Sequence, residues 1–541
     1  MKHIIFFIFI ITPIFSFAND ITNINSITID RKKVFEKEDK DWFFGAPLFN
    51  SVHFLTKEYI IEDEILFAIN DTISEDSFLE TERNLRATGL FTEVKIELEE
   101  NSENNYDVFV ITKDRWSFYP SILFGIIGED MNYGGRLQEF NLFGTGTYIN
   151  MSGIFREELD IGLEGLFELR NQRIFRSELA LDVSILANQY ITRQDVKIHK
   201  DYRTLATTNS YGISANNNFG KEFFLNDIFL KYLFPDLKFL PINEKTIKTW
   251  YSRAWKMNDF VYLTGLLEYN KTDRGLNFFQ RAYDNQGKIL VGFSSSAQNF
   301  YAVERINSYN IEDLEEGGWG TAILGKTFPI ASYGGERGFF YVAGQAEKSV
   351  YTKDFYLFGQ LTGASSFSSD FAKYTYQSFL GLGFVRLNEK LLLAAKFDQQ
   401  AVWNWPRFRQ LVIDETRGLR GYSAGELAGD NRLTTNIELR YFPDWQVFIF
   451  KLSGALFYDI ASVWNQTIEI FDSKFYSSIG AGLRLHFTKS DNPLHTFRID
   501  FPYNFHTKKV GISLGVSQYF EAFGKHRFRL PEIYGTEFDF E

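Results

Sequence analysis

From about Pro120 onward, apolar and polar residues alternate along the chain. Leu179, Leu181, Val183 and Ile185 interleave with Glu178, Ala180, Asp182 and Ser184, and Leu433, Ile437, Leu439 and Tyr441 with Thr434, Asn436, Glu438 and Arg440. The same period recurs in Phe497, Ile499 and Phe501, and in Val510, Ile512, Leu514 and Val516. A period of two sends one set to each face of a strand, so the pattern predicts a long succession of strands with one greasy face. Up to Lys113 the pattern is mixed. Thr56 is placed to cap a helix carrying Ile61, Ile65 and Ile69, and a second helix from about Ser77 to Thr88 turns Phe78, Leu79 and Leu85 inward before Gly89 stops it. Val94, Ile96 and Leu98 alternate with Glu93, Lys95 and Glu97, and Tyr106 to Ile111 is apolar on both faces. With a lead strand near Ile24 to Asp30, the order strand, helix, helix, strand, strand predicts a small α+β domain over 19–115, with 31–55 irregular.

Alternation alone suits a soluble sandwich as well as a membrane barrel, and the architecture decides between them. Residues 1–18 carry Lys2, an apolar run from Ile4, and small residues at Ser16 and Ala18, which together read as a cleavable secretory signal peptide. No later uncharged apolar stretch approaches the ~20 residues of a spanning helix. Hundreds of residues of alternating segments behind such a leader exceed one soluble sandwich, and predict a transmembrane antiparallel β-barrel over 116–520. Lipid demands that every backbone group be paired, and a closed sheet has no edge. The segments number about sixteen or seventeen, and even parity decides for about 16 strands joined by long loops. Tyr441, Phe442, Phe487 and Phe520 sit near strand ends, where barrels place aromatic girdles. Residues 521–541 remain as a C-terminal tail, expected in the periplasm with both barrel termini.

Composition narrows the chemistry. Aromatics make up 18% of the 541 residues, with 58 Phe, in keeping with a large apolar surface. With no Cys there is no disulfide, no thiolate metal site and no thiol nucleophile, and a net charge of -12 argues against a nucleic-acid partner. Gly421, Ser423 and Gly425 fit a hydrolase G-x-S-x-G elbow, but that elbow needs a helix after the Ser, whereas an alternating strand follows here. His486, His495, His506 and His526 are not ordered as a triad partner, and His53 and His199 form no metal motif. Neither catalysis nor a cofactor is expected.

The segment from Gly418 to Gly425 sets an Arg among glycines in a long connection between strands. Gly lets a loop fold back on itself, and a guanidinium in a confined lumen seeks a carboxylate. Leu419, Arg420, Gly421 and Tyr422 resemble the [VI]-R-G-[FY] motif of the BamA/TamA-type superfamily, whose members join POTRA domains to an outer-membrane barrel. Five strand candidates follow this motif, at about 432–442, 451–464, 477–488, 495–504 and 509–520, the number that the family carries there. Phe457, Asp459 and Ala461 resemble the family's F-x-D-x-G strand motif, with Ala where Gly is usual and Leu419 where Val or Ile is usual. By that resemblance Arg420 and Asp459 form an ion pair in the barrel lumen. The stretch from Gly134 to Gly146 resembles the family's first barrel strand and the turn after it, and the strand ending at Phe520 its barrel-terminal signal. The N-terminal domain, with its Leu85 to Phe91 segment, resembles one POTRA domain.

What the resemblance implies is an outer-membrane protein with a periplasmic N-terminal domain that assists insertion or translocation of other polypeptides. Its partners would be unfolded outer-membrane or secreted polypeptides, outer-membrane lipids and accessory proteins. Since fold does not fix function, a passive channel or porin-like protein is the alternative.

Overall fold

The computed structural model describes residues 20–541 apart from 23, 38–41, 43, 102–104, 128–129, 158–159, 204–206, 224–238, 257–258, 276–280, 282, 310, 331–337, 369–370, 406–410, 423–426, 448–449, 488–495, 523–527 and 537–541. The expected leader, Ser423, His495 and His526 lie outside the described residues. The chain forms two compact units, one of residues up to 33 with 55–114, the other of 34–54 with 115–541.

The first unit is a three-stranded sheet with helices on it. Tyr106–Asp114 is the central strand, pairing in parallel with Ile24–Lys32 and antiparallel with Phe91–Glu100. Val108 and Val110 point from it into a core closed by Ile24, Ile61, Leu85 and a Phe67–Phe78 ring pair. The second predicted helix spans Glu75–Ala87, but the first is a single turn, Glu58–Glu62. Thr56 does not cap it. Its backbone N–H and hydroxyl both donate to the Asp114 carboxylate at the end of the central strand, at 2.7 and 3.0 Å. A further element occupies the stretch expected to be irregular. The helix Ala46–Val52 packs Phe49 on Trp116, with ring centroids 5.1 Å apart, and belongs to the barrel unit rather than to the small domain.

The second unit is a closed antiparallel barrel. Counting two interrupted strands once each, it has twenty strands among the described residues, from Phe118–Ile127 to a last strand in two pieces, Lys509–Val510 and Ser513–Val516. Side chains obey the two-residue period: along Phe260–Asp273, Tyr262, Thr264 and Leu266 are buried while Leu263, Leu267 and Tyr269 stand exposed on the outer face. The expectation of about 16 strands is therefore corrected. Many connections are tight, such as 188–190 after the strand Ala180–Ala187 and Glu389 with Lys390 after Ala372–Asn388, so the same length of chain makes more crossings. Even parity holds without fixing the number. The stretch at Gly134 lies in the second barrel strand, Asp130–Glu139, and not in the first.

The ends of the pattern also differ from expectation. The last strand stops at Val516, and Ser517, at φ 65°, turns the chain inward. Phe520 and Phe442 are buried inside the barrel and are not girdle residues, and Phe487 packs beside Tyr119; Tyr441 is exposed as expected. The tail after Phe520, expected in the periplasm, turns back against the barrel interior. Its described residues lie on the inner wall, where Asn307 clasps Ala522 by accepting from its N–H and donating to its carbonyl, both at 2.9 Å.

Candidate functional site

The connection between the strands Leu391–Trp403 and Asn431–Tyr441 folds into the barrel. Leu411–Ile413 and Leu427–Gly429 pair as a small ribbon, and Asp414 organises its tip, one carboxylate oxygen accepting from the N–H groups of Thr416 and Arg417. Two glycines make the turn. Gly418 has φ 102° and a Cβ there would meet Thr434 at 2.8 Å; Gly421 has φ 82° and lies against Pro502. Strand side chains hold the tip from several sides. Asn436 donates to the carbonyl of Gly418 at 2.9 Å, Asn504 to that of Gly421 at 2.8 Å, and Tyr422 reaches the carbonyl of Ser477 at 3.2 Å. Leu419 and Tyr422 pack on Ala461, whose methyl fills the place where Gly would leave space.

The tip delivers Arg420 into a sealed cluster. Its guanidinium forks onto Asp459, Nε to Oδ2 at 2.7 Å and Nη2 to Oδ1 at 2.8 Å, and its Nη1 reaches Glu438 at 2.7 Å and Asp500 at 3.3 Å. Arg420 and the three carboxylates have no exposed surface. Two rings sandwich the guanidinium, Phe457 at 3.6 Å and Tyr519 at 4.0 Å from its central carbon. The structure thus brings together Leu419, Arg420, Gly421 and Tyr422 of the loop with Phe457, Asp459 and Ala461 of the strand Phe450–Trp464.

The cluster is larger than the pair expected from the motif. Glu438 also accepts from Arg440 at 2.8 Å, Asp500 accepts from Arg484 at 2.6 Å, and Arg484 in turn donates to Gln518 at 3.1 Å. Burial opposes the charge of Arg420, but Asp459, then Glu438 and Asp500, hold its pKa well above the ordinary value. Burial carries the Tyr519 phenol well above its usual range too, and its hydroxyl donates to the carbonyl of Glu415 at 2.8 Å. Such an array of paired charges and stacked rings has no open face for a substrate. It is a clasp that fixes a loop.

Glu438, Arg440, Arg484 and Asp500 were missed by motif matching. The alternation carries the signal for them: Glu438 and Arg440 occupy the polar positions between Ile437, Leu439 and Tyr441 and so face the lumen. Tyr519 has no such signal, since it lies beyond the last strand. His486 lies on Ser453 and Thr496, at 2.7 and 3.0 Å, and no group of three or more potential metal ligands occurs among the described residues.

Among solved structures the chain is similar to BamA from Haemophilus ducreyi lacking POTRA domains 1–3, at 13% identity over 91% of this chain and 83% of that one, with a TM-score of 0.38. It is similar also to CdiB from Acinetobacter baumannii (12%, 92% and 74%, TM-score 0.43) and to CdiB from Escherichia coli (10%, 91% and 76%, TM-score 0.42). No family model and no curated protein matches the chain.

Proposed function

We propose that this chain is an outer-membrane barrel of the BamA/TamA type that assists insertion or translocation of other polypeptides, without chemical catalysis, and that its small N-terminal domain is a periplasmic POTRA domain. The observation that carries the reading is the buried Arg420 cluster, in which the loop motif meets the strand motif inside a closed barrel. The lumen supports it against a passive channel. Loop and tail both run through the interior, so the surfaces left for a client are sheet edges. One edge is the strand Phe91–Glu100 in the small domain, which an extended client could join by strand addition. The other is the barrel seam, where a first strand of ten residues faces a closing segment of four, Ser513–Val516.

Photocrosslinking groups placed along 93–98 and 118–124 in living cells test this reading. Adducts with nascent outer-membrane or secreted chains at both places are expected. Silence at both, in a chain that is folded and in the membrane, would overturn it in favour of the channel.

A further inference from the structure

The inner wall between the strands Phe239–Lys256 and Phe340–Tyr351 is not the polar surface that a water-filled barrel presents. Trp250, Leu266, Leu290, Ile323 and Tyr341 are all buried there. What covers them is the chain's own C-terminal tail. Phe528 sits among Tyr202, Tyr262 and Trp319, with ring centroids 4.8, 5.4 and 6.3 Å away. Arg529 donates to Gln345 at 2.6 Å and to Glu347 at 2.8 Å, its guanidinium lying 5.8 Å from the Trp319 ring. Pro531 lies over Gly292, Ile533 enters the apolar patch, and the Tyr534 N–H donates to the Tyr341 hydroxyl at 2.9 Å.

We infer that this wall is an exchangeable binding site for an extended peptide segment of the pattern aromatic, Arg, any residue, Pro, any residue, aliphatic, and that the tail is its resident occupant. The site has the parts that read such a segment: an aromatic slot, an acidic and amide pair matched to a guanidinium, a glycine where a ring must come close, and an apolar hole. The tail holds on mostly by side chains, with backbone bonds at Ala522 and Tyr534, and its described residues form no strand with the wall. Among the described residues the buried indole N–H groups of Trp250 and Trp319 find no acceptor, so the tail leaves donors that a competing backbone can satisfy. The site is independent of the client proposed above, since it is defined by a segment of this chain.

A chain ending at Ala522 tests it, probed with a fluorescent synthetic peptide of residues 523–541 against the detergent-folded barrel. Saturable binding to the shortened chain, and weaker binding to the full chain, whose own tail competes for the site, is expected. A peptide carrying Arg529→Glu binds about tenfold more weakly, the factor that ~1.4 kcal/mol of lost charge-assisted bonding gives, and Glu347→Arg in the barrel restores it. Equal binding to the full and shortened chains, or none to a shortened chain that still migrates as a folded barrel, would overturn the inference. If the shortened chain does not fold, the full chain with Gly292→Cys and Pro531→Cys serves. A Cβ at Gly292 lies 3.1 Å from that of Pro531, and the chain has no other Cys to compete. Reduced, this variant takes up the peptide; oxidised, with its tail fastened, it does not. Uptake that ignores the disulfide overturns the inference equally.

Discussion

Arg420 is the residue on which the interior converges, and its removal is not the loss of one pair. Arg420→Ala leaves Asp459, Glu438 and Asp500 buried with fewer cations, and breaking such a cluster on one side costs about 3–5 kcal/mol. The loop is then expected to come off its clasp while the barrel stays closed, and trypsin should cut after Arg417 faster than in the parent. An unchanged cleavage rate would show that the tip is held without the guanidinium. Arg420→Lys is expected to restore little, since an ammonium cannot fork onto Asp459 or stack between Phe457 and Tyr519 as the planar group does. Gly418→Ala puts a methyl into the left-handed region and against Thr434, at a cost of about 1–3 kcal/mol. Thr434→Ala should recover the steric part of that loss, read as the midpoint of heat-induced unfolding. The pairing of Arg420 with Asp459 was legible in the sequence because both lie in short motifs. Tyr519 was not, because a residue that reaches its place by a chain reversal leaves no periodic trace.

Strands were legible where one face is apolar and the other polar, as in the five after the loop, whose predicted and observed limits differ by two residues or fewer at each end except at the last. Helices were less so. Ile61, Ile65 and Ile69 recur at helical spacing, yet only one turn forms, because Thr56 is drawn to Asp114 and Ile69 ends exposed. Glu82, on the helix Glu75–Ala87, pairs with Arg86 one turn on at 3.5 Å and also reaches across to the sheet. Its carboxylate accepts the backbone N–H of Ile96 at 2.8 Å, on the edge strand Phe91–Glu100. An N–H that has an acceptor is not offered to an incoming strand. Glu82→Ala should therefore raise client crosslinking from 93–98, and a yield equal to the parent's would mean that this edge is not where clients add.

For the whole molecule, the sequence spoke of a barrel and of a loop pairing inside it, and was silent about the tail that shares the lumen. The alternation reports which side of the wall a residue takes, and it reports neither how many strands share a circumference nor where a tail beyond the last strand goes. In planar bilayers the full chain should conduct poorly, and the chain ending at Ala522 should conduct more while the Arg420 loop still narrows its lumen. A full chain that conducts as well as the shortened one would mean that the tail does not obstruct the pore. The inner layer also has a temporal side. Tyr519 stacks on Arg420 and Phe528 meets Tyr262, partners separated by about a hundred and by more than two hundred positions, and contacts between such distant residues are among the slowest to form. The interior is thus completed after the wall, and a chain cut before Ser517 would keep nearly the whole wall with its Arg420 clasp lacking one of its two rings.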